Sequence, residues 1–77
     1  MSIKAYILIS TDTKFTKTIT QLISAVNGVI EVSEVLGPFD IVVEIKMDTL
    51  EQVSACLRNN IRGIEGVKNT VTCVSIR

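Results

Sequence analysis

Histidine and tryptophan are absent from this chain, proline occurs once, and glycine only four times in 77 residues. Without histidine the side chain that most readily moves protons near neutral pH is missing. So is the usual nitrogen ligand of zinc. The two cysteines, Cys56 and Cys73, stand far apart and in no C-x-x-C pattern. A disulfide framework and a structural zinc site are therefore not expected. The aromatic residues are Tyr6, Phe15 and Phe39 alone, and eight basic residues cancel eight acidic ones. Phosphate-backbone binding needs clustered Lys and Arg, and base stacking needs aromatic platforms. Direct contact with nucleic acid is not expected. No apolar run approaches the roughly 18 residues that span a bilayer. The opening "MSIKAYILIS" is too short for a secretory signal, and no A-x-A-like site follows it. Two unpaired thiols fit a reducing compartment, so a cytoplasmic location is expected.

What is present is a short apolar chain, 47% hydrophobic by composition. It is expected to form one domain over residues 1–77. A core of this size supplies only about 3–5 kcal/mol, and oligomerisation is the remaining way to add to it.

Ile3 to Ile9, "IKAYILI", is β-branched and aromatic, and short enough for a strand. "STDT" offers helix N-cap residues, and Phe15, Ile19, Leu22, Ile23 and Val26 then recur at helical spacing. Asn27-Gly28 ends that helix. Val29 to Leu36 reads as a second strand, Gly37-Pro38 as a turn, and Phe39 to Lys46 as a third strand. "MDTLEQ" reads as a capping box with Asp48 as N-cap and Glu51 three residues on. Leu50, Val53, Leu57 and Ile61 make the second helical stripe, Gly63 and Gly66 close it, and Val67 to Ile76 is the last strand. Asp12-Thr13 and Asp48-Thr49 open the two helices, and Gly28-Val29 and Gly66-Val67 leave them, a faint internal repeat. The order βαββαβ in two similar halves predicts an α+β, ferredoxin-like two-layer sandwich with a four-stranded antiparallel sheet. The right-handed crossover rule puts both helices on one face.

That leaves a second sheet face. Ile41, Val43, Ile45 and Met47 form one clean apolar face of the third strand. Tyr6, Leu8 and Val42 would lie on the other, edged by Glu44 and Lys46. An uncovered apolar patch marks a partner surface, so the chain is expected to dimerise through this open face.

Catalytic constellations are scarce. Asp12, Asp48 and Glu51 are explained as caps, while Glu31, Glu34 and Glu44 alternate with apolar residues as solvated strand positions do. Cys56 in a helix and Cys73 in a strand read as small packing residues. No phosphate-binding glycine loop occurs. No enzyme activity, cofactor or metal is expected. The unusual stretch is "GPFD". Gly37 lets a ligand approach the main chain, Pro38 fixes the bend, and Phe39 offers an apolar wall. Asp40 sets a negative charge beside backbone N–H groups, as an amino-acid zwitterion would require. On composition alone the simpler reading carries more weight: a β-turn whose aspartate bonds its own turn.

"NGVIEVSEVLGPFDIVVEIKMDTLEQVSACLRNNIRGIEGVKNTVT", in its βαββαβ order, resembles the effector-binding (RAM) domain of the Lrp/AsnC regulators. The resemblance covers nearly all of residues 3–77. It centres on G-x-[YF]-D, met by Gly37, Phe39 and Asp40, and on the ending "IRGIEGVKNTVT". It reverses the order of the two readings of the bend. Family members normally carry an N-terminal helix-turn-helix domain. Here two residues precede the first strand, which is similar to the stand-alone RAM proteins. The resemblance implies a homodimer through the sheet faces, with four or five dimers closing a ring, an octamer or decamer. It implies a small effector, usually an amino acid, bound between dimers. Gly37 would donate to its carboxylate, Asp40 would accept from its ammonium, and Leu36 and Phe39 would line the pocket. Thr70 and Thr72, from a neighbouring subunit, would add polar contacts. Phe39 replaces the commoner Tyr and removes a hydroxyl, and Pro38 removes a donor. Such a module would act on DNA-binding Lrp/AsnC relatives or on a metabolic enzyme. Two alternatives stand beside it. One is a small dimeric α+β-barrel enzyme, disfavoured by the lack of histidine and by Arg58, Arg62 and Arg77 lying in or beyond end segments. The other is an ACT-like amino-acid-binding domain.

Overall fold

In the computed structural model, which describes residues 2–76, strand β1 runs from Ile3 to Thr11 and buries every second side chain. Arg77 lies outside the described residues. Ala5, Ile7 and Ile9 are fully buried and Thr11 nearly so, while Lys4, Tyr6, Leu8 and Ser10 between them are half-buried. This period of two is what one covered sheet face produces. A single 3-10 turn, Thr13–Phe15, leads into α1 (Thr16–Ser24). Strands β2 (Val29–Glu34) and β3 (Ile41–Met47) follow, then α2 (Leu50–Cys56), which continues as a π-helical turn through Leu57–Ile61, and β4 (Val67–Val74). The sheet order is β2-β3-β1-β4, with every neighbouring pair antiparallel. This is the ferredoxin-like βαββαβ sandwich.

Both helices pack on one face. Ile19 and Ile23 from α1, Val53 and Cys56 from α2, and Ile61 join Ala5, Ile7, Ile9, Ile41, Val43 and Ile45 in one core. Phe15, Val26, Met47 and Leu57 pack against its edge. Burying one such aliphatic side chain stabilises by about 1.5–3 kcal/mol, which is why a chain this short invests in isoleucine. Leu22 and Leu50, read as stripe members, are about half exposed instead. At about 100° per residue, Leu22 turns to the flank of the face that Ile19 and Ile23 define. Leu50 is the first helical residue and overhangs the core edge.

The internal repeat is real at the helix exits. Gly28 and Gly66 have φ of +94° and +95°, and each turns the chain directly into a strand. Gly66 is also sterically required, because a Cβ there would sit 2.5 Å from Phe15 Cβ. At the helix entries the repeat slips by one residue. Asp12 caps the first turn through Lys14 N, but the second cap is Thr49 rather than Asp48. Thr49 Oγ1 accepts from Gln52 N at 3.1 Å, and Gln52 Oε1 accepts from Asp48 N and Thr49 N at 2.9 and 3.3 Å. Because α2 starts at Leu50, the third helical residue is Gln52 and not Glu51.

Strand ends are shorter than the apolar runs suggest. β2 ends at Glu34 rather than Leu36, β3 starts at Ile41 rather than Phe39, and β4 ends at Val74 rather than Ile76. Leu36 and Ile76 have left the sheet and are almost wholly exposed.

The uncovered face is built in rows. Ser33, Val42, Leu8 and Val71 are successive cross-strand partners, and Glu44, Tyr6 and Cys73 form the next row. Lys4 Nζ lies 3.8 Å from Glu44 and 5.8 Å from the Tyr6 ring centroid, at the border of the patch. Cys56 is a buried packing residue as expected, whereas Cys73 is exposed on this open face. Its cross-strand partner Tyr6 faces away from the helices.

Candidate functional site

The bend between β2 and β3 is held by Asp40. Its carbonyl accepts from Val35 N and its own N–H donates to Ile9 O, both at 2.9 Å. One residue thus closes the bend onto Val35, just past the end of β2, and ties it to β1. Its side chain does a third job. Thr11 N donates to Asp40 Oδ2 at 2.8 Å across 29 residues of sequence. The Cα pairing of β1 with β3 stops at Ile9 and Ile41, and the pairing of β1 with β4 shifts register between Ser10 and Thr11. The chain turns away into the bend where the next acceptor for β1 would stand, and the carboxylate supplies one. Thr11 itself is 5% exposed, and its Oγ1 meets Thr16 Oγ1 at 2.7 Å, joining this corner to α1. The Asp40 side chain is therefore neither a free surface charge nor bonded to its own turn. Sequence reasoning missed Thr11, and no local pattern could have revealed a partner so distant in the chain.

The carboxylate keeps one oxygen available. A carboxylate offers about four lone-pair sites, and Oδ1 has no partner among the described residues. The backbone N–H groups of Leu36, Gly37 and Phe39 likewise make no hydrogen bond among the described residues. Pro38 has no N–H to give. The bend therefore carries three unbonded N–H groups and one half-buried negative charge. Leu36 projects fully into solvent, and Phe39 is half-buried. Nothing lies within 4 Å of the position a Cβ would take on Gly37, which leaves its main chain approachable.

Thr70 and Thr72 lie on β4, as partners of Ile9 and Ile7. Since β1 runs between β3 and β4, they are two strand spacings, about 10 Å, from the Asp40 side of the sheet. Thr70 stands at the same end as Asp40. Thr72 Oγ1 is buried without a hydrogen-bond partner on the helix-facing side. Within one protomer the bend residues come together, and the two threonines stand apart from them.

This α+β sandwich thus has one bare sheet face and a bend with unspent backbone donors and one unspent carboxylate oxygen, features open to a small ligand. The model of the Lrp/AsnC ligand binding domain matches residues 4–77, and the chain belongs to that family. TTHA0845 from Thermus thermophilus superposes with a TM-score of 0.93 at 28% identity, over 97% of this chain and 94% of that one. The hypothetical protein PHS023 from Pyrococcus horikoshii superposes with a TM-score of 0.89 at 25% identity, over 97% and 90%. E. coli AsnC shares the fold, with a TM-score of 0.91 at 17% identity over 97% of this chain and 51% of AsnC. In sequence, homocitrate synthase of Saccharolobus islandicus is 30% identical over 76 residues, 97% of this chain and 16% of the enzyme. The chain thus spans about a sixth of the length of the curated relatives it matches. Among the described residues no helix is long and apolar enough to cross a membrane.

Proposed function

We propose that the chain is a regulatory module that grips a free amino acid at the β2–β3 bend and changes its assembly in response. The observation that carries this reading is the corner itself. Unbonded N–H groups of Leu36, Gly37 and Phe39 suit a carboxylate, and the open oxygen of Asp40 suits an ammonium group beside it. Charge-assisted hydrogen bonds of both signs are the strong ones. Phe39 and Leu36 contact the ligand's side chain, and the pocket is closed by a neighbouring protomer that brings Thr70 and Thr72. Leu36, held wholly in solvent in the protomer, supports closure by a second chain.

The assembly begins with a dimer through the open sheet face, where the row Val42, Leu8 and Val71 is apolar and Val71 stays 39% exposed. Dimers then join into an octamer or decamer. The module acts without catalysis, on DNA-binding relatives of its family or on a metabolic enzyme. The match within homocitrate synthase supports the enzyme as a target, since a module of this kind there accompanies a much longer chain.

Calorimetric titration with the twenty amino acids tests the reading, on wild type and Asp40→Asn. The expected result is binding of one or a few amino acids, weakened about tenfold or more by the substitution. Binding by none of them, or binding that Asp40→Asn leaves unchanged, refutes it.

A further inference from the structure

A cleft lies at the end of the sheet opposite the bend, about 20 Å along β3 from Asp40. Its volume is about 460 Å³, within the range of small-molecule sites. Four pieces of chain converge on it: the α1–β2 turn, the end of β3, the start of α2 and the π-helical turn. The other large depression, by contrast, follows one face of α2 from its cap Thr49 to Arg58.

The backbone of the walls is tied in place by hydrogen bonds. Lys46 N donates to Gly28 O at 2.9 Å, which ties the end of β3 to the α1–β2 turn. Gly28 stands at φ +94°, and Met47 Cε fills the space a Cβ would take, 2.8 Å from it. Asp48 is anchored through its backbone to Gln52 Oε1. The π-turn, closed by Arg62 N donating to Leu57 O at 2.9 Å, presents Asn59 and Asn60 to the cleft. Such widened turns recur at functional sites.

Apart from Gln52, whose Oε1 caps α2, the polar side chains on these walls are exposed and unspent. Lys46 and Asp48 carry opposite charges, and neither side chain has an ion-pair or hydrogen-bond partner among the described residues. The carboxamides of Asn27, Asn59 and Asn60 have none either. Ala55 and the buried Cys56 form an apolar floor. A cation and an anion on the same lining, a short apolar floor, and carboxamides offering both donors and acceptors suit one ligand class. We propose that this cleft is a second ligand site, taking an amino acid whose side chain ends in an amide or a carboxylate. Lys46 takes the α-carboxylate and Asp48 the α-ammonium. The methylene stem lies on Ala55 and Cys56, and the side-chain head pairs with Asn59 and Asn60. The site is independent of the bend and stands whether or not the bend binds a ligand.

The test is a nitrogen-15 TROSY titration of the full chain in its native assembly, with asparagine, glutamine, aspartate and glutamate, and with leucine as control. The side-chain NH2 signals of Asn27, Asn59 and Asn60 report the cleft directly, and the backbone amides of Leu36, Gly37 and Phe39 report the bend. Saturable movement of the carboxamide signals with a polar amino acid and not with leucine is expected. The double variant Lys46→Gln, Asp48→Asn, which replaces two exposed side chains, is expected to weaken that response about tenfold or more. Carboxamide signals that stay still, that follow leucine equally, or that are unaffected in the double variant overturn the proposal. Movement confined to the bend overturns it too, while upholding the reading of Asp40.

Discussion

Replacing Asp40 by alanine tests the corner most directly, because the same carboxylate is assigned both a structural and a binding role. Oδ2 accepts from Thr11 N at 2.8 Å, and Thr11 is 5% exposed. A hydrogen bond to a charged acceptor contributes about 1.5–3 kcal/mol, and a buried N–H left without any acceptor costs about 1–3 kcal/mol. The backbone bonds of Asp40 to Val35 and Ile9 survive the substitution. Asp40→Ala is therefore expected to lose about 1–3 kcal/mol, a large share of the roughly 3–5 kcal/mol that a core of this size provides. At about 4–8 °C per kcal/mol for a domain this small, Tm falls by several degrees at least. Asp40→Asn retains an oxygen that can accept from Thr11 N and loses only the charge, so its Tm is expected to lie between the other two. Thermal unfolding followed by circular dichroism, at one fixed protomer concentration because assembly shifts Tm, measures all three. An Asp40→Ala protein within about 0.5 kcal/mol of wild type, the range of an ordinary surface change, refutes the structural role. The consequence for function is practical: lost binding in Asp40→Ala would mix unfolding with ligand loss, and Asp40→Asn separates them.

Gly66→Ala places a Cβ 2.5 Å from Phe15 Cβ at φ +95°, and is expected to destabilise by about 1–3 kcal/mol in denaturant titration. Gly63→Ala, with nothing within 4 Å and no positive φ, should be neutral or stabilising by up to about 1 kcal/mol. Ile7→Ala empties a fully buried site and should cost about 2–5 kcal/mol in the same assay. Leu8→Glu puts a charge in the middle of the open face and is expected to shift the light-scattering mass toward the 8.4 kDa protomer; an unchanged mass would argue against that face as the dimer surface.

Much of the fold was legible because its signals are short-range. The clean face of Ile41, Val43 and Ile45 marked the core side of β3, and the placing of Tyr6 and Leu8 on the bare face of β1 agrees with their partial burial beside buried Ala5, Ile7 and Ile9. Glycines at 28 and 66 marked the helix exits, since few other residues tolerate the turn that follows. Boundaries were less legible. The cap of α2 slipped from Asp48 to Thr49 because Asp and Thr are both good caps, and only the fold chose Leu50 as the first helical residue. Cys73 in a strand reads as a packing residue until the sheet shows that its face is bare.

Sequence alone determined the order of the elements, the face that each central strand buries and the presence of a chemically unusual bend, because periodicity and turn chemistry are properties of neighbouring residues. Tertiary structure alone decided what Asp40 holds, which of its oxygens is left over, and that Lys46, Asp48 and Asn59 border one cleft. Thr11 and Asp40 are 29 residues apart, and Asn59 comes from a different element than Lys46. Those pairings are set by where strands pair and helices dock, and that follows from the whole core packing at once.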